Sequence, residues 1–184
     1  MAYVAGRGRR GGEIPWKALA GIGLILGAAA ALMRAKRSEP KAPRVALIGD
    51  SYAVGLGPEL QKLLPDFKFE GRVGAGTHSY LVPSWIAAFK PTLVLVSLGV
   101  NDGADPHRND YVEILRQLYA TGLSNIVWIE PPVGPRFTLR LHNLLATLGV
   151  RIIPAVTTPL ATDRLHPSSY VPWAQEIARA VANG

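Results

Sequence analysis

Arg44-Val45-Ala46-Leu47-Ile48-Gly49-Asp50-Ser51 is the stretch from which the rest of this sequence can be read. Four apolar residues closed abruptly by Gly and Asp predict a strand covered on both faces, the kind found in parallel sheets. The carboxyl ends of such strands are where α/β proteins place their chemistry. Ser51 therefore stands where a nucleophile would be useful.

Strand and helix signals alternate downstream. Apolar runs predict further strands at 92–97, 126–129 and 150–153, and 67–72 is a plausible second strand. Between them, Leu60, Leu63 and Leu64 suggest a helix that stops before Pro65, and 81–89 a helix ended by Lys90-Pro91. Tyr111, Ile114, Leu115, Leu118 and Tyr119 share the face of a helix that Asp110 would cap and Gly122 would close. Residues 139–148 and about 169–182 complete the pattern. The expected fold is α/β, a three-layer α/β/α sandwich around a doubly wound, mostly parallel sheet.

The chain has 184 residues and no cysteine, which excludes disulfides, thiolate metal sites and lipidation on cysteine. Its formal charge of +7 belongs to one end: residues 1–44 hold nine Lys/Arg and two acids, while the remainder balances at eleven of each. The organisation expected is a basic tail (1–17), a hydrophobic membrane anchor or signal segment (18–33), a linker (34–43) that includes Ser38-Glu39-Pro40-Lys41-Ala42-Pro43, and one domain (44–184). As a helix, the sixteen uncharged residues 18–33 would span about 24 Å, and Trp16 with a snorkelling Lys17 can extend that toward the ~30 Å bilayer core. A single anchor with an exported catalytic domain is the reading; cleavage near Ala28–Ala31, giving a secreted form, is the alternative. Basic residues on both sides leave the orientation undecided by the positive-inside rule. Arg7-Gly8-Arg9-Arg10-Gly11-Gly12 lacks stacking aromatics, so nucleic acid is not an expected partner.

The loops after the strands carry the informative residues. Gly99-Val100-Asn101-Asp102-Gly103 follows the third strand, and an Asn there can aim its amide at a developing oxyanion. Gly71-Arg72-Val73-Gly74-Ala75-Gly76-Thr77 follows the second, where a glycine lets a backbone N–H approach a ligand; no G-K-[ST] follows, so a phosphate loop is excluded. Asp163-Arg164-Leu165-His166-Pro167 places an acid and an imidazole three positions apart in a turn, spaced for the acid to orient a base. His78, His107 and His142 lack ligand spacing, and His107 with Asp102 and Asp105 reads as a solvated loop, so neither metal nor cofactor is expected. Glu130-Pro131-Pro132 is expected to border the pocket, and Phe137, Leu141 and Leu144, at helical spacing, to be core.

Gly49-Asp50-Ser51, Gly74, Gly99 through Asp102 and Asp163 through Pro167 occur in this order across the domain. In this the sequence resembles the SGNH subgroup of the GDSL hydrolases, whose blocks are G-D-S, a glycine after the second strand, G-x-N-D and D-x-x-H-P. The resemblance implies the flavodoxin-like SGNH hydrolase fold. It also implies that Ser51 is the nucleophile, His166 the base and then acid, and Asp163 its orienter, with the Ser51 and Gly74 N–H groups and the Asn101 side chain as oxyanion hole. The second block is the loosest: the asparagine found just upstream in some relatives is absent, and Gly76 could replace Gly74. Asp50, Tyr52, Gly76 and Asp102, which adjoin these groups, are expected to contact substrate, Tyr52 at the entrance. The serine is expected on an open loop in a shallow site. The implied activity is that of a serine esterase working through an acyl-enzyme, most simply on short O-acetyl groups of a glycan. Alternatives are a lipid-directed esterase or lysophospholipase, acyl transfer to an alcohol, and a non-catalytic glycan-binding module.

Overall fold

The computed structural model describes residues 42–103, 106–132, 135–155 and 157–183. The tail, the apolar segment and the linker up to residue 41 lie outside the described residues, as does Asp105. Among those described, no helix is long and apolar enough to cross a membrane.

Five parallel strands, β1 (Val45–Gly49), β2 (Phe67–Gly71), β3 (Leu93–Ser97), β4 (Ile126–Ile129) and β5 (Arg151–Ile153), form one sheet in the order β2-β1-β3-β4-β5. The helices are α1 (Ser51–Leu63), α2 (Trp85–Phe89), α3 (Arg108–Ala120), α4 (Pro135–Thr147) and α5 (Val171–Ala182), with a 3₁₀ turn at Thr77–Ser79. β1 is wholly buried because it is covered on both sides. Its alternating side chains divide the core: Val45 and Leu47 pack with α1 and α5, while Ala46 and Ile48 pack on the side of α2, α3 and α4. The expected three-layer, doubly wound fold is the observed one. Its strand order reverses between β1 and β3, and a crevice opens at the carboxyl ends of strands flanking such a switch.

Four helices differ from the sequence reading, α4 in starting at Pro135, four residues before the expected 139. α1 begins at Ser51 itself, nine residues before the first of the leucines that suggested it, and runs through Pro58. The expected helix over 81–89 is only the single turn and a half of α2, preceded by the 3₁₀ turn. α3 starts at Arg108, so Asp110 lies in its first turn, where its charge favours the helix dipole, and is not the cap.

Gly49 closes β1 under a tight constraint. A Cβ there would lie 2.1 Å from the Ser97 carbonyl oxygen and 3.0 Å from Ala53 Cβ, so two central strands and α1 would have to part. Gly49→Ala is expected to destabilise the domain by about 3 kcal/mol, at the upper end of overpacking costs. The check is a lower urea midpoint at unchanged m-value.

Candidate active site

Ser51 follows β1 directly, and the chain turns into α1 there because Asp50 caps the helix: its Oδ1 accepts from Tyr52 N at 3.0 Å, and its own N–H still pairs with Ser97 O at 2.9 Å. The serine is thus the first helical residue and not part of a free loop. Its backbone N–H is one of the donors that a helix start leaves without an intrahelical partner, at the positive end of the dipole.

His166 comes from a compact loop that Asp163 organises. One oxygen, Oδ1, accepts from the N–H groups of Leu165 (2.9 Å) and His166 (3.0 Å), and Arg164 takes the left-handed conformation (φ 57°) that this tight turn demands. An antiparallel bridge between Leu160 and Pro167 and the bond Ala161 N–H to His166 O (2.7 Å) close the loop. The other oxygen, Oδ2, lies 2.7 Å from His166 Nδ1, and His166 Nε2 lies 2.8 Å from Ser51 Oγ. The hydrogen bond from His166, helped by the two backbone N–H groups, pulls the Asp163 carboxyl down to about 2. An ionised carboxylate accepts only, so the imidazole proton sits on Nδ1 and Nε2 is left to take the proton of Ser51.

Asn101, after β3, is exposed and donates from Nδ2 to Ala75 O at 3.0 Å. That bond uses one of its two amide hydrogens and ties this loop to the turn after β2. In that turn Ala75 N–H meets Arg72 O at 3.1 Å with Gly74 at φ 75°, the positive-φ third position that glycine favours. Gly74 is exposed with open space around it. Gly76 is buried, and a Cβ on it would sit 2.9 Å from His78 Nδ1 and 3.0 Å from Asp102 Oδ1, so the turn has no room for a side chain there.

The other three expected contacts also face inward. Asp50 is 1% exposed. Asp102 accepts from Thr77 N (2.7 Å), Thr77 Oγ1 (2.6 Å) and the Tyr111 hydroxyl (2.8 Å), which joins the 3₁₀ turn to the β3 loop. Tyr52 is fully buried, and its hydroxyl donates to Leu165 O at 2.7 Å while its ring packs 5.3 Å from that of His166. Both contacts brace the loop that carries His166, which its place next to Ser51 did not suggest. Tyr52→Phe is expected to lower kcat about 5-fold at nearly constant KM, the equivalent of one ~1 kcal/mol hydrogen bond. Steady-state ester hydrolysis separates this from a merely structural loss, which would lower the melting temperature and leave kcat per folded molecule unchanged.

The site is shallow: the side chains of Asp163 and His166 are 50% and 29% exposed. Glu130 lines a cavity of about 350 Å³ with Thr138, Leu139 and His142, which is not the pocket at Ser51 that it was expected to border. Leu141 and Leu145 are core, Leu144 packs partly buried against it, and the Phe137 side chain lies outside the described residues. Among the described residues no group of three acidic or histidine side chains could hold a metal.

No protein-family model and no curated protein matches the sequence. Solved structures do. A carbohydrate acetylesterase from Sinorhizobium meliloti superposes with TM-score 0.59 at 16% identity, over 76% of this chain and 99% of that one. The C-terminal catalytic domain of peptidoglycan O-acetyltransferase A from Streptococcus pneumoniae gives 0.55 at 19% identity, over 77% and 92%. An aryl esterase from M. smegmatis gives 0.53 at 16% identity, over 76% and 100%. At these identities the likeness is one of fold.

Proposed function

From the fold it shares with SGNH/GDSL-type esterases and acetyltransferases, we propose that this chain is a serine esterase that removes short acyl groups, foremost O-acetyl, from a carbohydrate. The observation that carries the reading is the unbroken relay from Asp163 through His166 to Ser51 at the switch between β1 and β3. Ser51 Oγ attacks the ester carbonyl and its proton passes to His166 Nε2. The oxyanion is held by the N–H groups of Ser51 and Gly74 and the remaining amide hydrogen of Asn101. As the bond from the carbonyl carbon to the alcohol oxygen breaks, His166 returns the proton to the leaving alcohol. Water then attacks the acyl-enzyme, giving its proton to His166; the carboxylic acid leaves and Ser51 recovers its proton.

An open relay admits water, which favours hydrolysis over transfer to an alcohol. The likeness to a carbohydrate acetylesterase and to a peptidoglycan O-acetyltransferase domain supports an acetyl group borne on a glycan. Membrane attachment through residues 18–33, with the domain exported, would set the enzyme beside envelope glycans. The test is hydrolysis by the full chain of p-nitrophenyl esters from acetyl to decanoyl, with acetylated xylotetraose beside them. Acetyl is expected to be the best acyl group, and acetate to be released from the oligosaccharide. A maximum at long chains would move the reading to a lipid-directed esterase, and no turnover of any ester would leave a binding module.

A further inference from the structure

The carboxylate that closes β4 has a partner that esterase chemistry at Ser51 does not use. Continuing the alternation of β4, Glu130 points to the side of α4, where its Oε1 lies 2.6 Å from His142 Nδ1. Its Oε2 accepts from Ala155 N at 3.3 Å, which accounts for that oxygen as a brace for the chain beyond β5. Glu130 is 3% exposed, whereas the His142 side chain is 48% exposed. A buried carboxylate is costly, and this one directs half its capacity to orienting an imidazole that stands half in solvent. With Nδ1 on Glu130, Nε2 is the nitrogen left for a ligand. Both residues line the 350 Å³ cavity with Thr138 and the exposed Leu139.

The cavity's lining residues lie just past the carboxyl end of β4 and on α4. β4 lies two strands from β1, about 10 Å at ~4.8 Å per strand. The helix turn bearing His142 packs against the oxyanion loop, since a Cβ on Gly99 would lie 3.5 Å from Leu141 Cδ2. An acyl chain would cover His142 Nε2 and offer it no hydrogen-bond partner. A pyranose suits the cavity: ring hydroxyls both donate and accept, so one can meet the imidazole nitrogen, and the C–H face of the ring can lie on Leu139. We propose that this cavity is a sugar subsite, held by His142 as positioned by Glu130, that receives a ring of the glycan whose ester reaches Ser51. The inference rests on the esterase reading only for the identity of the neighbouring site.

Calorimetry with unacetylated xylotetraose and chitotetraose is run on the full chain, His142→Ala and Leu139→Asp, the last on an exposed position so that folding is kept. Turnover of p-nitrophenyl acetate and of acetylated xylotetraose is measured on the same proteins. The expected result is that the parent binds at least one tetrasaccharide and that each variant weakens binding at least tenfold. The preference in kcat/KM for the sugar ester over p-nitrophenyl acetate should also fall at least tenfold. Tetrasaccharide binding that both variants retain would overturn the subsite, as would a parent that binds neither sugar while still cleaving p-nitrophenyl acetate. Sugar binding lost in the variants of a parent without esterase activity would uphold the subsite and overturn the esterase reading.

Discussion

His166→Ala and Ser51→Ala are each expected to lower kcat on p-nitrophenyl acetate by at least about 10⁴-fold, with the double variant little worse than either single one. The reason is geometric. Ser51 Oγ has His166 Nε2 at 2.8 Å as its base, and without the imidazole the hydroxyl keeps its proton; without the hydroxyl the imidazole has nothing to activate for the first step. Non-additivity follows because the two act as one unit. Asp163→Asn should cost less, about 10²-fold, because the Asp163 side chain is half exposed and water can partly replace it on Nδ1. Steady-state rates of the four proteins check the order. A double variant whose losses multiply would mean the two residues act independently, contrary to the relay.

Asp50→Asn is expected to change how stability depends on pH, with an effect of up to about 4 kcal/mol. The Asp50 carboxyl is buried beneath the nucleophile; its Oδ1 takes the Tyr52 N–H while Oδ2 is buried with no hydrogen-bond partner. Burial raises its pKa to about 7, further helped by the Asp102 charge and only partly offset by the Tyr52 N–H. The folded chain therefore holds the Asp50 proton more tightly than the unfolded chain, whose value is near 4. Stability from this group is fully present below about pH 4 and is lost as pH rises to about 7; three pKa units correspond to about 4 kcal/mol. Asparagine keeps the cap and does not titrate. Urea unfolding at a series of pH values should show the variant gaining on the parent between pH 4 and 7.5, with a plateau above. A difference that stays constant across that range would show that the buried carboxyl does not titrate there.

The sheet was legible because its strands are short apolar runs ended by polar or glycine residues, as in Val45–Gly49 and Leu93–Ser97. α1 was not legible at its start, where Gly55, Gly57 and Pro58 argue against a helix. The tertiary structure requires the two glycines: a Cβ on Gly55 would lie 2.2 Å from the Tyr170 ring, and one on Gly57 2.1 Å from that of Phe69. Packing thus overrode propensity, and Ser51 gained a helix start in place of the loop expected of it. At the site, Ser51, His166 and Asp163 meet as their motifs suggested, and Asn101 joins the Gly74 turn through Ala75. Sequence neighbours of those residues were poor guides to contact. Asp50, Tyr52, Gly76 and Asp102 lie one or two positions from a site group yet turn inward, because the residues beside a site residue often pack its support. Glu130 and His142, twelve positions apart on a strand end and a helix, carried no local signal that they would meet.

The central claim is that Ser51 is a nucleophile activated by His166, and phenylmethylsulfonyl fluoride tests it most directly. Incubated with the full chain and followed by peptide mass spectrometry, the reagent should add one phenylmethylsulfonyl group, on Ser51. Loss of p-nitrophenyl acetate hydrolysis should track the extent of labelling, and His166→Ala should label at least about 10²-fold more slowly, as removal of a general base requires. A Ser51 that stays unlabelled while the chain still turns over esters, or one that labels equally fast without His166, would contradict the account.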